Sequence, residues 1–272
     1  MQFCGIQLSA NDCRPIHPTI LVVLGLMGAS FAAWGQQEAT GTRTTPPLRL
    51  EQVVKNLESR NAQRAAALKQ FEGERTYRMQ YRGFPGSHDA EMVVRLNYHA
   101  PDSKEFKVVS QTGSKFILEH VFKKLLEGEK EAAKAENQNK TALTSENYEF
   151  KLAGYETTPD GGQYVLNLAP KTKNKFLYLG KVWVDAKDFA VVRIEAEPGK
   201  NPSFWIKKTE INHKYLKVDD FWLPEENRTQ SEIRLGGQAT LSIEYRNYKI
   251  IKASPLNAAA RVLQTASAVV GR

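Results

Sequence analysis

From residue 75 to residue 250 the chain is dominated by runs in which apolar and polar residues alternate, the period of a strand with one buried face. Strands are expected at 75–82, 91–99, 106–111, 148–155, 163–169, 176–185, 190–197, 204–218, 226–235 and 239–250. The joints between them carry turn residues. Asp160-Gly161-Gly162 and Gly236-Gly237-Gln238 suit tight hairpins, Asp185-Ala186-Lys187-Asp188 a short turn, and Pro198-Gly199-Lys200-Asn201-Pro202 a longer corner. Strands joined this closely must run antiparallel. In 190–197 the alternation puts Ala190, Val192, Ile194 and Ala196 on one face and Val191, Arg193, Glu195 and Glu197 on the other. About ten such strands make either a sandwich or a sheet curling toward a barrel.

Two stretches have a helical period instead. Leu50, Val53, Val54, Leu57, Ala62, Ala65, Ala66 and Leu68 recur on one face, which predicts an amphipathic helix of about 20 residues ended by Gly73. The second stretch, 116–135, sets Leu118, Val121, Phe122 and Leu125 on one side. Its later half, EGEKEAAKAENQNK, is too polar for a core, so its first turns should dock at the mouth of the sheet while its end projects into solvent. It is read either as a surface helix filling the opening or as a lid over a cavity.

Residues 20–31 form an unbroken apolar and small-residue run, too short to span a bilayer and followed by Ala32, Ala33 and Gly35. This has the form of an export signal over 1–35, cut before Gln36 or, as second choice, after Ala32; an uncleaved anchor is the alternative. The remaining divisions are a flexible leader at 36–49, one β-rich domain at 50–252 and an Ala-rich tail at 253–272, weakly helical or disordered. Cys4 and Cys13 leave with the signal. The protein that stays behind then has no disulfide, no thiolate metal ligand and no cysteine to carry a lipid, and about 237 residues to build one core. Arg14 and Asp12 leave together, so the formal charge of +8 is kept. That balance favours anionic partners, and lipid headgroups or a membrane surface fit an exported, periplasmic protein. Lys and Arg are spread over nearly every segment, which argues against nucleic acid.

A search for chemistry finds no catalytic, cofactor-binding or metal-binding set, and the chain is not expected to be an enzyme. His17, His88, His99, His120 and His213 are scattered. Ser87-His88-Asp89 are adjacent, so their side chains cannot relay a proton among themselves. Asp219-Asp220, Glu225-Glu226 and the Asp185 and Asp188 pair fall at expected turns, where acids serve the backbone. Asn139-Lys140-Thr141 and Asn227-Arg228-Thr229 match a glycosylation acceptor, a pattern common by chance. The aromatics are more informative. Trp183, Phe189, Phe204, Trp205, Tyr215, Phe221, Trp222, Tyr245 and Tyr248 crowd the C-terminal half, and a curled sheet lined this way either packs solid or encloses an apolar cavity. The candidate cavity lining is Val192, Ile194, Trp183, Phe204, Trp205 and Trp222.

Four segments together resemble a known family. The helix LEQVVKNLESRNAQRAAALKQFEGERTY, the stretch RLNYHAPDSKEFKVVSQ, the hairpin YLGKVWVDAKDFAVVRIEAEP and the strand entry YLKVDDFWLPEENRTQSEI are similar to the LolA-like superfamily of bacterial exported proteins, periplasmic lipoprotein-sorting carriers and their relatives. The similarity runs over about 50–251, and its most specific part is the G-x-x-W-V-D hairpin into V-V-R-I-E. It implies a half-open antiparallel β-barrel, covered by an N-terminal helix and an inserted amphipathic helix, whose concave face holds acyl chains of a lipid or lipoprotein. Where the carriers have an arginine before a proline, this chain reads Asn97-Tyr98-His99-Ala100-Pro101, and the 116–139 helix is an insertion, so no family binding residue is transferred. The expected protein is a soluble monomer that carries acyl chains and touches a membrane surface. A cell-envelope sensor or scaffold binding a protein partner, with the charged helix around Lys123 to Lys134 as contact surface, is the alternative.

Overall fold

The computed structural model describes residues 42–43, 46–84, 86–201, 203–234 and 236–252. The expected signal, most of the leader and the tail from 253 lie outside the described residues. In chain order the elements are β1 (Thr42–Arg43), α1 (Leu50–Ala67), β2 (Gln70–Gly83), β3 (His88–His99) and β4 (Ser103–Gly113), then a π-helical turn (Ile117–Phe122) running into α2 (Lys123–Ala133) and α3 (Ala135–Thr141). There follow β5 (Tyr148–Thr158), β6 (Gly161–Pro170), β7 (Tyr178–Asp185), β8 (Val191–Pro198), β9 (Ile206–Val218), β10 (Phe221–Ile233) and β11 (Gly237–Ile250).

All the strands form one antiparallel sheet in the order β1-β5-β6-β7-β8-β9-β10-β11-β2-β3-β4. The long meander β5 to β11 returns to pair with β2, and the edge strands β4 and β1 do not meet. The sheet is therefore a curled, half-open barrel, and of the two arrangements open to the alternation pattern the sandwich is excluded.

Helices, not strands, cover the inner face. Val53, Val54 and Leu57 of α1 pack on Leu166, Val182, Val184, Ile194 and Ile211, which line the β6–β9 half. Ile117, Phe122 and Leu125 pack on Tyr77, Met92, Val94, Leu241 and Ile243, which line the β2, β3 and β11 half. Between the two apolar troughs, β9 and β10 turn buried polar side chains to the same side: Thr209 and His213 opposite Ser231 and Asn227, with Thr229 opposite Ile211.

Three expectations change. Gly73 does not end the helix. α1 stops at Ala67, and Phe71, fully buried, already starts the strand; Gly73 lies inside β2, where a Cβ would press within 3.2 Å of the Tyr248 ring. The face assignment in 190–197 is also revised, because the β7–β8 register shifts between Trp183 and Val184. Val192 becomes the extra residue of a bulge, and Val191 joins Ile194 and Ala196 in packing against the inner cluster. Finally, the second half of the inserted helix does not simply project into solvent, since Glu129 and Ala133 are buried.

Candidate binding site on the concave face

α1 fits the sheet tightly only over its first half. Of its eighteen residues, Val53, Val54 and Leu57 are buried, and beyond them the helix face carries Asn61 and Arg64. A cavity of about 50 Å³ opens there between helix and sheet. Its floor is Ala190, Val191 and Ile194 at the start of β8, its far wall is Tyr215, Phe221, Trp222 and Leu223 of the β9–β10 hairpin, and Asn61, Arg64 and Leu68 form its roof.

The rim is polar and ordered by hydrogen bonds. Arg64 donates to the carbonyls of Asp188 and Phe189, each at 2.8 Å, and to Asn61 Oδ1 at 2.8 Å. This ties the last turns of α1 to the β7–β8 turn. Phe189 presents its carbonyl from a left-handed backbone with φ of 47°. The Asp188 carboxylate accepts from Lys217 Nζ at 2.5 Å and from the Trp222 indole N–H at 2.9 Å. Burial opposes its ionisation, but these two bonds outweigh burial and hold its pKa below the usual carboxylate range. Burial lowers the Arg64 pKa, partly offset by the charge of Asp188. Asp185 closes the turn, its Oδ1 accepting from the backbone N–H of Lys187 at 3.0 Å and of Asp188 at 2.6 Å.

Of the residues expected to line a cavity, Ile194 and Trp222 do so. Val192 is displaced by its bulge. Trp183 lies on the opposite face from its neighbours Val182 and Val184, donating to Glu156 at 3.1 Å with the Arg193 guanidinium 3.7 Å from its ring centre. Phe204 and Trp205 stand at the other end of the sheet, 75% and 39% exposed. Tyr215 and Phe221, from the aromatic crowd of the C-terminal half, border the cavity as well, and sequence reasoning missed Val191 and Leu223. The F-W-L entry into β10 marked that place in the chain, but the bulge that turns Val191 inward has no sequence signature. Arg64 left no signal either, since its acceptors lie 124 and 125 residues away.

The second trough is closed by an ion cluster. Glu129 of α2 reaches inward to Arg75 of β2, accepts from the Tyr77 hydroxyl at 2.7 Å, and has Lys104 of β4 at 3.7 Å. Arg75 also lies over the rings of Tyr245 and Phe106, at 4.9 and 5.5 Å. Burial alone would raise the Glu129 pKa, but the charges of Arg75 and Lys104 prevail and keep it ionised, below the ordinary value. In the polar seam, burial drives the His213 pKa down to about 4 against a weaker opposing bond from Asn227. Thr209 and Ser231 share a hydroxyl bond at 3.1 Å. Asn227 is itself buried, so it is closed to glycosylation in the folded chain.

Among the described residues, no cluster of three or more His, Cys, Asp and Glu side chains could hold a metal ion, and no helix is long and apolar enough to cross a membrane. Ser87, His88 and Asp89 form no relay, because Asp89 is held by both Arg82 guanidinium nitrogens and His88 stacks on Tyr81. Glu225 is the extra residue of a bulge within β10 and not part of a turn.

No protein-family model and no curated protein sequence matches the chain. Solved structures do align with it. A domain from Vibrio parahaemolyticus described as outer membrane lipoprotein-sorting aligns at 11% identity and a TM-score of 0.38, over 77% of this chain and 96% of that one. A DUF1329 family protein from Desulfovibrio piger aligns at 13% identity and a TM-score of 0.37, over 78% and 96%. A LolA superfamily protein from Nitrosomonas europaea aligns at 9% identity and a TM-score of 0.31, over 76% and 96%.

Proposed function

We propose that the protein is a binding or carrier protein that shelters an acyl chain, of a lipid or a lipoprotein, on the concave face of its half-open sheet. The observation that carries this reading is the way the apolar inner face is covered. Two helices close it, and one of them leaves a cavity rimmed by Arg64 and Asp188 and floored by Val191 and Ile194. An acyl chain exposed to water costs about 0.8 kcal/mol per methylene, so moving one between membranes calls for an apolar container. At about 50 Å³ the cavity is far smaller than the roughly 300–1,000 Å³ of an occupied ligand site. On this reading it is the seed of a larger site that opens when α1 lifts. Residues 1–35 act as an export signal, and 50–252 are the working domain in the periplasm.

Two measurements test it. Delipidated protein should gain thermal stability on titration with a long-chain fatty acid or diacylglycerol. Val191→Phe, which fills the cavity, should weaken that gain at least tenfold in ligand concentration while the fold persists. Equal shifts for the two proteins, or no shift in either, would refute the reading.

One observation favours a second reading, a protein partner. β4 is an eleven-residue edge strand, and Val108 and Val109 on it are 45% and 49% exposed, a template for an added strand. Val109→Lys should then weaken capture of that partner and leave acyl binding unchanged.

A further inference from the structure

The antiparallel meander sorts the connecting loops to two ends of the sheet, and the two ends differ in chemistry. At one end lie 171–177, between β6 and β7, and 199–205, between β8 and β9. The β10–β11 and β2–β3 turns join them there, as the Gly237 to Gly83 pairing and the bonds from Arg234 to the carbonyls of Phe204 and Trp205 show. These loops carry Lys171, Lys173, Lys175, Lys200 and Arg234 and no acid. The acids near this end are Asp89, Glu197 and Glu232, strand residues facing Arg82, Lys208 and Lys207, and Glu58 and Glu146, which lie beside Lys171 where its ammonium donates to the Ser145 carbonyl. At the opposite end the hairpin turns carry Asp102, Asp160, Asp188, Asp219 and Asp220 with Lys187, and Lys69, Lys217 and Lys252 stand at the strand ends beside them.

The exposed aromatics are sorted in the same way. Every phenylalanine or tryptophan exposed among the described residues stands at the basic end: Phe84, Phe176, Phe204, Trp205, and Phe116, which follows β4 where Gly113 pairs with Ala90. Phe84 is 84% exposed and Phe204 75%. Four of these rings have cationic or aromatic company, Phe204 and Trp205 against each other with Arg234 over Phe204, Phe176 under Lys175 and Phe116 on His120, but none of the five is buried in a core. Aromatic side chains favour the boundary between headgroups and acyl chains, and lysines around them favour an anionic surface.

We infer that this end is a membrane-docking surface, which seats on an anionic phospholipid bilayer with Phe84, Phe204 and Trp205 entering the headgroup layer and Lys173 and Lys200 meeting the phosphates. The inference goes beyond the acyl-chain reading and does not depend on it. The cavity beside α1 lies toward the acidic end, so docking would leave its mouth facing away from the bilayer.

Vesicle sedimentation tests it. The purified protein should bind vesicles of 30% phosphatidylglycerol in phosphatidylcholine, bind pure phosphatidylcholine at least tenfold more weakly, and release in about 0.5 M salt. Lys173→Glu with Lys200→Glu, and separately Phe84→Ser with Phe204→Ser, should each weaken binding about tenfold or more. All four side chains are exposed, so circular dichroism and melting should stay as in the parent. Brominated lipid should quench tryptophan emission in the parent and lose most of that effect in Trp205→Phe. Absence of anionic-vesicle binding, binding indifferent to both double variants, or capture of an acidic protein through this end without vesicle binding would overturn the proposal. Val191→Phe should bind vesicles like the parent. Its behaviour separates failure of the docking surface from failure of the acyl site.

Discussion

Glu129 enters the concave face from a helix whose sequence reads as a solvated surface, and Arg75 and Tyr77 meet it there. Breaking such a pair on one side leaves a buried charge, which costs about 3–5 kcal/mol. Glu129→Gln should lower unfolding stability by that order in urea titration. Arg75→Met with Glu129→Leu should recover at least half of the loss, because the apolar pair needs no desolvation of charge. His213 sets a different dependence. Its folded pKa of about 4 lies below the unfolded 6.5, so the unfolded chain takes up a proton first as pH falls. Stability from the neutral, buried ring is full above pH 6.5 and is lost progressively toward pH 4, by about 3 kcal/mol in total. Urea unfolding of the parent at pH 7 and pH 4.5 should differ more than that of His213→Gln by about 2 kcal/mol, the share of the loss that falls within this window. Equal pH dependence in the two proteins would remove His213 from the account.

At the scale of elements, α1 is held unevenly along its length. Three enclosed aliphatic side chains anchor it, each worth about 1.5–3 kcal/mol, and its second half depends on Arg64 bridging to the β7–β8 turn. Arg64→Ala removes both carbonyl bonds. Hydrogen exchange at residues 60–67 should then accelerate roughly tenfold or more, with the amides of β10 and β11 unchanged. Uniform acceleration across the sheet would mean that α1 unfolds only together with the rest. The element boundaries teach a related lesson. Gly73 reads as a helix stop, yet it serves a strand whose neighbour, Tyr248, occupies the space of a side chain. In β10, Asn227, Thr229 and Ser231 face inward between two apolar troughs. The run EENRTQSE carried that information, since it offers no apolar residue for either face.

For the whole molecule the meander has two consequences. It brings β11 back to β2 and leaves β4 and β1 apart, so the concave face must be covered by whatever helices the chain supplies. It also sends alternate loops to opposite ends, which gathers basic and aromatic hairpin loops at one end and acidic hairpin turns at the other. The net charge of +8 carries no hint of that separation. It emerges only when odd and even hairpins are placed on their two sides.

The sequence by itself determined the period-2 strands, their antiparallel turns and the two helical stretches, because each of these depends on residues close together in the chain. Tertiary structure decided which residues meet. A bulge at Val192 rotated the lining of β8, a guanidinium on α1 found its acceptors beyond position 187, and Glu129 found Arg75 across the trough. Of the six side chains named from the sequence, Ile194 and Trp222 border the small cavity under the second half of α1, while Phe204 and Trp205 lie at the other end of the sheet. Hydrophobic character marks a side chain for burial or for a surface, but only the path of the backbone decides which end of the sheet it reaches.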